Sequence, residues 1–144
     1  MKFAFAVVLI AAMGMPALAG AQTAALEGAK VYFVQPADGA TVSSPVTVVF
    51  GLSGMGVAPA GVEKENTGHH HLLIDRPPFG EAEGDDMASG LPADDHHKHF
   101  GGGQTEVTLE LAPGPHTLQL VLGDAAHVSL DPPVTSEVIT ITVQ

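Results

Sequence analysis

The sequence predicts an all-β protein, an antiparallel immunoglobulin-like or cupredoxin-like sandwich that follows a cleaved secretion signal. Short runs rich in Val, Leu, Ile and Thr are separated by turns, and the chain contains 17 Gly and 11 Pro, which favour those turns. Several runs alternate apolar and polar residues, as strands with one buried face do. No stretch shows a sustained helical period. These patterns leave both sandwich types open.

The first residues have the features of a secretion signal. Lys2 gives a positive start, an apolar stretch follows, and small residues of the A-x-A kind end at Ala19 or Ala21. The apolar stretch is shorter than the roughly 20 residues that cross a bilayer. We therefore expect residues 1–21 to be a signal peptide, cleaved after residue 19 or 21, with no membrane span left after cleavage. Residues 22–144 should form a single β-sandwich domain that is periplasmic or secreted.

The composition limits what this domain can bind. Acidic residues outnumber basic ones 16 to 5, so the net charge is −11 with neutral histidines. Such a surface repels nucleic acid and attracts cations. The chain has no cysteine, so neither disulfides nor thiolate ligands are available. Eight histidines beside one tyrosine and no tryptophan are a marked bias, and the bias points to histidine chemistry.

Six strands are predicted in chain order, and the clearest alternation lies in the second. Their ranges are Lys30–Val34, Val46–Leu52, His70–Asp75, Thr105–Leu111, His116–Leu122 and Glu137–Val143. In the second strand Val46, Val48 and Phe50 share one face, which should point into the core. The tight Ala-Pro-Gly-Pro connection at residues 112–115 predicts that the fourth and fifth strands form a hairpin.

Two longer segments, residues 53–68 and 77–95, are predicted to be loops. Loops of this length in a small domain are usually functional or mobile. The second loop is acidic, and we expect it to gather cations by long-range attraction. Met55 in the first loop and Met87 in the second are candidate thioether ligands for Cu(I), although an isolated methionine is more often a packing residue.

Two His-x-His pairs are the main indication of function. His69 and His71 lie where the third strand begins, and because strand side chains alternate, they should project to one side while His70 projects to the other. His97 and His99 repeat the arrangement after the acidic loop. Such a pair on a strand sets two imidazoles roughly 6–7 Å apart, near enough to share one ion.

Two further histidines are expected near the ends of the sheet. His116 begins the fifth strand on its core-facing side, and His127 lies in the loop that leaves that strand. The candidate metal ligands are therefore His69, His71, His97, His99, His116 and His127. Asp75 and Asp124 are candidate acceptors that fix imidazole tautomers. A single histidine such as His116 is more often a core or surface residue than a metal ligand. His96 lies in an acidic run that we expect to be exposed to solvent.

The ligand type narrows the identity of the ion. Imidazole suits copper and zinc, whereas type 1 copper sites require a cysteine thiolate, which this chain lacks. We expect a copper or zinc ion as cofactor, with a slight preference for copper. A pH-responsive or merely solvating histidine cluster is the remaining interpretation.

Four motifs extend this interpretation along most of the chain. They are Gly-His-His-His-Leu-Leu-Ile-Asp at 68–75, His-x-His-Phe-Gly-x-Gly-Gln-Thr-Glu at 97–106, Pro-Gly-x-His-Thr-Leu at 113–118 and Gly-Asp-x-x-His at 123–127. With them the chain resembles a family of small exported bacterial proteins classified as a domain of unknown function. The resemblance runs from about residue 31 to 143 and names no activity.

The resemblance bears on which histidines matter. Every histidine except His96 falls within one of the four motifs. Members of the family often carry Pro and a further His before the Asp-Pro-Pro that stands here at residues 131–133. This chain has Leu130 there, so any ligand role at that position is absent or dispensable.

Together these observations predict a periplasmic metal-binding protein for metal handling or delivery. One alternative is a structural or interaction module in which the histidines form a hydrogen-bond network, and another is a copper-dependent redox enzyme. The chain contains no G-x-S-x-G elbow, phosphate loop or H-E-x-x-H helix motif, so we expect binding more than catalysis. The expected partners are the metal ion and, as a candidate, another periplasmic metal-handling protein, but not nucleic acid.

Overall fold

The computed structural model describes residues 21–83, 85 and 88–144. Within these ranges all named secondary-structure elements are β-strands. The all-β prediction is therefore confirmed. The strands are β1 Lys30–Gln35, β2 Thr41–Val42, β3 Val46–Ser53, β4 Gly56–Val57, β5 Thr67–Ile74, β6 His97–His99, β7 Glu106–Leu109, β8 Gly114–Gly123 and β9 Ile139–Val143. Across these ranges no helix is present that could cross a membrane. Residues 1–20 of the predicted signal and Met87 lie outside the described residues.

All six predicted strands are present, as β1, β3, β5, β7, β8 and β9, and no end differs by more than three residues from its prediction. The three unpredicted strands contain only two or three residues each. Such short segments do not display a period of two, so their pairing is set by neighbouring strands.

The strands form two sheets. One sheet has three strands in the order β1-β3-β7, and the other has six, in the order β2-β9-β8-β5-β4 with β6 also paired to β5. Neighbouring strands are antiparallel except for the short parallel pairings of β2 with β9 and β4 with β5. The inward faces of both sheets contribute to one apolar cluster, which gives the sandwich arrangement that the sequence predicts.

The core follows the alternation of the strands. In β3 the residues Val46, Val48 and Phe50 are buried, as expected. In β9, Ile139 and Ile141 are buried while the threonines between and after them are exposed. Full burial of one large aliphatic side chain stabilises a fold by roughly 1.5–3 kcal/mol, so this shared inward face is what holds the two sheets together.

The predicted hairpin between the fourth and fifth strands is wrong. β7 pairs with β3 in the three-stranded sheet, where Leu109 lies opposite Val46. β8 lies in the six-stranded sheet and has both of its edges occupied, one by β5 and the other by β9. β7 and β8 thus lie in different sheets, and residues 110–113 carry the chain from one sheet to the other.

Strand β5 is buried on both of its faces, and this decides where the histidines lie. Every residue from Gly68 to Ile74 is buried. Its inner face meets the apolar core, while its outer face is covered by later segments of the chain. These segments form bridges between Gly90 and Val128, between Gly123 and Ser129, and between Val121 and Thr135.

Candidate metal centre

Three histidines reach the outer face of the large sheet from neighbouring strands. His69 and His71 lie two residues apart on β5 and therefore project to the same side. His99 of β6 lies directly opposite His71, whose other neighbour is Val121 of β8. The strand register thus brings three imidazoles of the two His-x-His pairs together.

A fourth histidine reaches the same place from a loop. His127 follows β8, and its backbone has φ 64°, a left-handed conformation that is uncommon outside glycine. The Asp124 carboxylate accepts hydrogen bonds from the backbone N–H groups of Ala126 and Val128, at 2.9 and 3.0 Å. Its other oxygen accepts one from the Thr23 hydroxyl at 2.8 Å. Asp124 therefore holds the turn that presents His127.

The ring nitrogens of these four histidines converge. His69, His71, His99 and His127 each offer one ligand atom, and all four atoms lie within 4.8 Å of one another. Within the group, His71 Nε2 and His69 Nε2 lie 3.0 Å apart. Four nitrogens bound to one ion at roughly 2.0–2.1 Å lie about 3.3 Å apart in a tetrahedral site. Small side-chain movements would therefore place an ion at the centre of the four.

Burial favours the neutral form of three of these rings, and the neutral form is the one that binds a metal. His69 and His71 are fully buried. Burial, reinforced by neighbouring imidazoles, lowers the pKa of His69 to about 4 and that of His71 to about 2. Burial also lowers the pKa of His99, with His127 adding to the effect. Neutral rings have a free lone pair, so an incoming cation meets little competition from protons.

Several nitrogens of this cluster lack a hydrogen-bond partner. Among the described residues, His69 Nδ1, His71 Nδ1 and His99 Nε2 are buried without one. An unsatisfied buried polar atom costs about 1–3 kcal/mol, so a group of them is unfavourable unless another component binds there. This feature, together with the convergence, fits a metal ion held by imidazole.

Two glycines leave room for the rings. A Cβ atom at Gly123 would lie 2.9 Å from His71 Nε2, and one at Gly101 would lie 2.4 Å from His99 Cε1. Real Cβ atoms do not approach other atoms so closely, so any side chain at these positions would displace the imidazoles. At these two positions the backbone lies so close to the imidazoles that only glycine fits.

His97 lies beside the cluster but outside the group of four. Its ring centroid is 5.2 Å from that of His71, with the two planes nearly perpendicular. Its side chain is buried, and neither of its nitrogens has a hydrogen-bond partner in the described chain. Burial lowers its pKa to about 4, with the Arg76 charge adding to the effect and the Asp94 and Asp85 charges opposing it.

His116 lies far from the cluster. On β8 it pairs with Ile141, whereas His69 pairs with Gly123, seven residues further along the same strand and so about 23 Å away. Its Nδ1 donates to Asp75 Oδ2 at 2.7 Å and its Nε2 to the Ala112 carbonyl at 2.8 Å. Asp75 thus orients an imidazole, as expected of it, but one remote from the four.

The other candidate positions serve the fold. His70 projects to the opposite side from its neighbours, as predicted, and packs on Phe50 with ring centroids 5.2 Å apart. His96 lies beyond the far end of β5, where its Nδ1 is 3.0 Å from the Ile74 carbonyl oxygen. Met55 packs against the apolar core, and Leu130 is fully buried within it. These residues lie outside the group of four.

Sequence patterns pointed to the four histidines without separating them from His97 and His116. They did not identify Thr23 as a support for Asp124, because the two are 101 residues apart and nothing local links them. Gly101 and Gly123 could have been noticed, since each lies close in sequence to a histidine and outside a hairpin turn.

Comparison with known proteins adds the family but no activity. No curated protein and no solved structure matches the chain. One family model, described as a domain of unknown function, matches residues 48–144, about two thirds of the sequence, and this range includes all eight histidines. The protein whose sheet carries this cluster of four imidazoles therefore belongs to the family described as domain of unknown function DUF4399.

Proposed function

We propose that this protein is a periplasmic or secreted metal-binding protein that holds one copper or zinc ion for metal handling or delivery. The ligands are His69, His71, His99 and His127. The observation that carries the proposal is the approach of their four ligand atoms to within 4.8 Å of one another. Burial, which lowers the pKa of His69 and His71, supports it.

The unpartnered nitrogens favour a metal over a histidine hydrogen-bond network. A network would pair the ring nitrogens with carboxylates and carbonyls, as happens at His116. In the cluster two Nε2 atoms face each other at 3.0 Å. One neutral ring can donate its N–H to the other across this distance, but the buried Nδ1 atoms of both rings are left without a partner. Within the described residues, a histidine network is therefore complete at His116 and only partial in the cluster.

Copper is preferred slightly over zinc. Both ions accept imidazole, and a site with nitrogen ligands binds Cu²⁺ more tightly than Zn²⁺ in the usual order of divalent affinities. Four imidazoles complete the tetrahedral coordination of zinc, and they equally suit the tetragonal geometry of Cu(II). The preference for copper therefore rests on the affinity order.

Holding an ion is better supported than turning over a substrate on it. A catalytic ion keeps a coordination position open for water or substrate, and four histidine ligands leave none in a tetrahedral site. His69 and His71 are fully buried, which further limits the approach of a substrate. The copper-dependent redox enzyme therefore stays the weaker alternative, and a second metal-handling protein is the proposed partner.

The test is a titration of the protein, purified after export and stripped with a chelator, with Cu(I), Cu(II) and Zn(II). We expect one ion per chain with a dissociation constant well below micromolar. His71→Ala and His99→Ala should weaken binding by more than the roughly 10–100-fold that follows loss of a group supporting a ligand. Affinity no better than micromolar, unchanged in both variants, would contradict the proposal.

Two matched variants locate the limits of the site. His97→Ala removes a buried imidazole that neighbours His71 but lies outside the group of four, and His116→Ala removes one at the far end of the sheet. We expect His116→Ala to bind as the unmodified protein does and His97→Ala to bind more tightly than His99→Ala. Equal losses in His97→Ala and His99→Ala would place His97 among the ligands.

A further inference from the structure

The four histidines are attached to the fold in two different ways. His69 and His71 lie on β5, which is paired on both sides, and His99 lies on β6, which is paired to β5. His127 lies outside every strand, in the loop after β8. Strand pairing therefore fixes the first three, whereas hydrogen bonds of a short loop hold His127.

Hydrogen bonds of a turn and of neighbouring segments, and no paired strand at His127 itself, hold the loop of His127. They include Asp124 N–H to the Val128 carbonyl, His127 N–H to the Asp124 carbonyl and Gly61 N–H to the Ala125 carbonyl. The Asp124 carboxylate accepts from Ala126 and Val128, and the Thr23 hydroxyl donates to the same carboxylate. The His127 carbonyl also accepts a hydrogen bond from the Leu91 N–H. His127 itself has the left-handed backbone conformation, which costs an ordinary residue roughly 1–2 kcal/mol, so the position of its ring depends on these hydrogen bonds.

The four rings differ in their exposure to solvent. His69 and His71 are fully buried, while His99 and His127 are partly exposed. Beside the loop lies a surface depression of about 480 Å³, whose lining includes Thr23, Asp124 and the segment 61–65. That segment carries two glutamates and one lysine, so the depression favours a cation or a positively charged surface over an anion.

If the four histidines bind an ion as proposed above, the structure assigns a special role to one of them. We propose that His127 is the exchangeable ligand through which the ion is passed to an acceptor protein. The bond between the ion and His127 breaks as a bond forms to a nitrogen or sulfur donor of the acceptor. The imidazole keeps its lone pair and the ion keeps its oxidation state, so no other reactant is needed. His69, His71 and His99 hold the ion meanwhile, and Asp124 with Thr23 acts by positioning His127.

The first test compares His127→Ala with His69→Ala, using added imidazole as the incoming donor. We expect His127→Ala still to bind one copper or zinc ion per chain, more weakly, and millimolar imidazole to restore most of the lost affinity and the original copper spectrum. His69→Ala should not be rescued, because the removed ring was fully buried. Failure of imidazole to rescue His127→Ala, or equal rescue of both variants, overturns the inference.

The second test measures the rate at which the loaded protein passes its ion to an excess of chelator. Asp124→Asn should accelerate transfer several-fold at unchanged stoichiometry, and Thr23→Val should act in the same direction with a smaller effect. Asp95→Asn, which removes an exposed carboxylate paired with Lys98, is the control and should transfer at the original rate. If Asp124→Asn does not fold, Thr23→Val alone decides, and an unchanged rate in it counts against the positioning role.

The two proposals fail in different ways. A protein that binds neither copper nor zinc tightly contradicts the proposed function itself. A protein that binds one ion tightly, but whose His127→Ala variant is as deficient as His69→Ala and equally insensitive to imidazole, contradicts only the exchange step.

Discussion

The Nε2 atom of His71 lies 3.0 Å from the Nε2 atom of His69, two residues earlier on the same strand. Side chains at this spacing share a face and would ordinarily stand roughly 6–7 Å apart, so the two rings lean toward each other. Burial lowers the pKa of both rings, and two neutral imidazoles can share one N–H···N hydrogen bond across this distance. The same approach would let both nitrogens bind one cation, and several consequences of such a site can be measured.

Adding one methyl group next to the rings should weaken the metal site. In Gly123→Ala the new Cβ would lie 2.9 Å from His71 Nε2, so the ring must turn away from its partner. We expect metal affinity to fall at least about tenfold and stability to fall by about 1–3 kcal/mol, as overpacking usually costs. Competition with a chelator and thermal unfolding give the two values.

Gly90→Ala is the matched control, because a Cβ there meets nothing within 4 Å. It should leave both the affinity and the melting temperature nearly unchanged. If Gly123→Ala bound metal as tightly as Gly90→Ala, the rings would not be held against that glycine as described.

Replacing His70 should separate the core from the metal site. His70 is fully buried against Phe50, and burial lowers its pKa to about 4, although backbone groups of Gln104 and Gly51 partly offset this. Between pH 6.5 and 4 the unfolded chain therefore binds a proton that the folded chain refuses, and stability falls on acidification. At pH 5 we expect His70→Leu to be about 1–2 kcal/mol more stable than the unmodified protein. Its metal affinity should be unchanged.

The His70 prediction is checked by denaturant unfolding at pH 5 and pH 7.5. The gain should be larger at pH 5, where the unfolded histidine is protonated. A loss of metal binding in His70→Leu would show that the inner face of β5 also serves the site.

Metal binding should persist in mildly acidic solution. Four ordinary imidazoles of pKa about 6.5 would together lose roughly 10⁴-fold in affinity between pH 7.5 and 5.5, through proton competition. The pKa of His69 is lowered to about 4 and that of His71 to about 2, and the pKa of His99 is also lowered. His69 and His71 are therefore neutral at pH 5.5, and the lowered pKa of His99 acts in the same direction. Since at most two rings then compete for protons, we expect the affinity to fall by about 100-fold or less.

Calorimetric titration with Zn²⁺ at the two pH values measures this dependence, together with the number of protons released per ion. Release of several protons at pH 5.5 would mean that the rings are charged in the folded protein, contrary to their burial.

The pair formed by His116 and Asp75 should stabilise the protein at acidic pH, where the buried His70 destabilises it. Both ring nitrogens face oxygen acceptors, so both donate, and the Ala112 carbonyl and then the Asp75 carboxylate raise the pKa of His116. A raised pKa contributes stability that is present below about pH 6.5 and is lost as pH rises through the folded value. We expect His116→Ala to cost about 1 kcal/mol more at pH 5.5 than at pH 9.

Unfolding of His116→Ala and of the unmodified protein at both pH values gives this difference, and the acid sensitivity of the buried histidines cancels between them. His96→Ala, which removes an exposed imidazole near Asp75, is the control. An equal cost of His116→Ala at both pH values would argue against a charged ring.

The sequence by itself determined the strands and the sides of the strands on which residues lie. Alternation along a strand has a period of two and is set by the backbone within a few residues, so the buried face of β3 and the shared side of His69 and His71 could be predicted. The absence of cysteine and the surplus of acidic residues likewise restricted the chemistry that is open to the chain, because composition does not depend on how the chain folds.

Only the tertiary structure decided which histidines meet. Whether two strand ends are neighbours depends on sheet order, and the sheet order depends on contacts between residues far apart in the chain. β7 pairs with β3 and not with β8, and β8 runs the length of the sheet, so His116 and His127 lie at opposite ends of it. The turn held by Asp124, supported by a residue 101 positions away, then brings His127 to the group of four, which no local pattern could indicate.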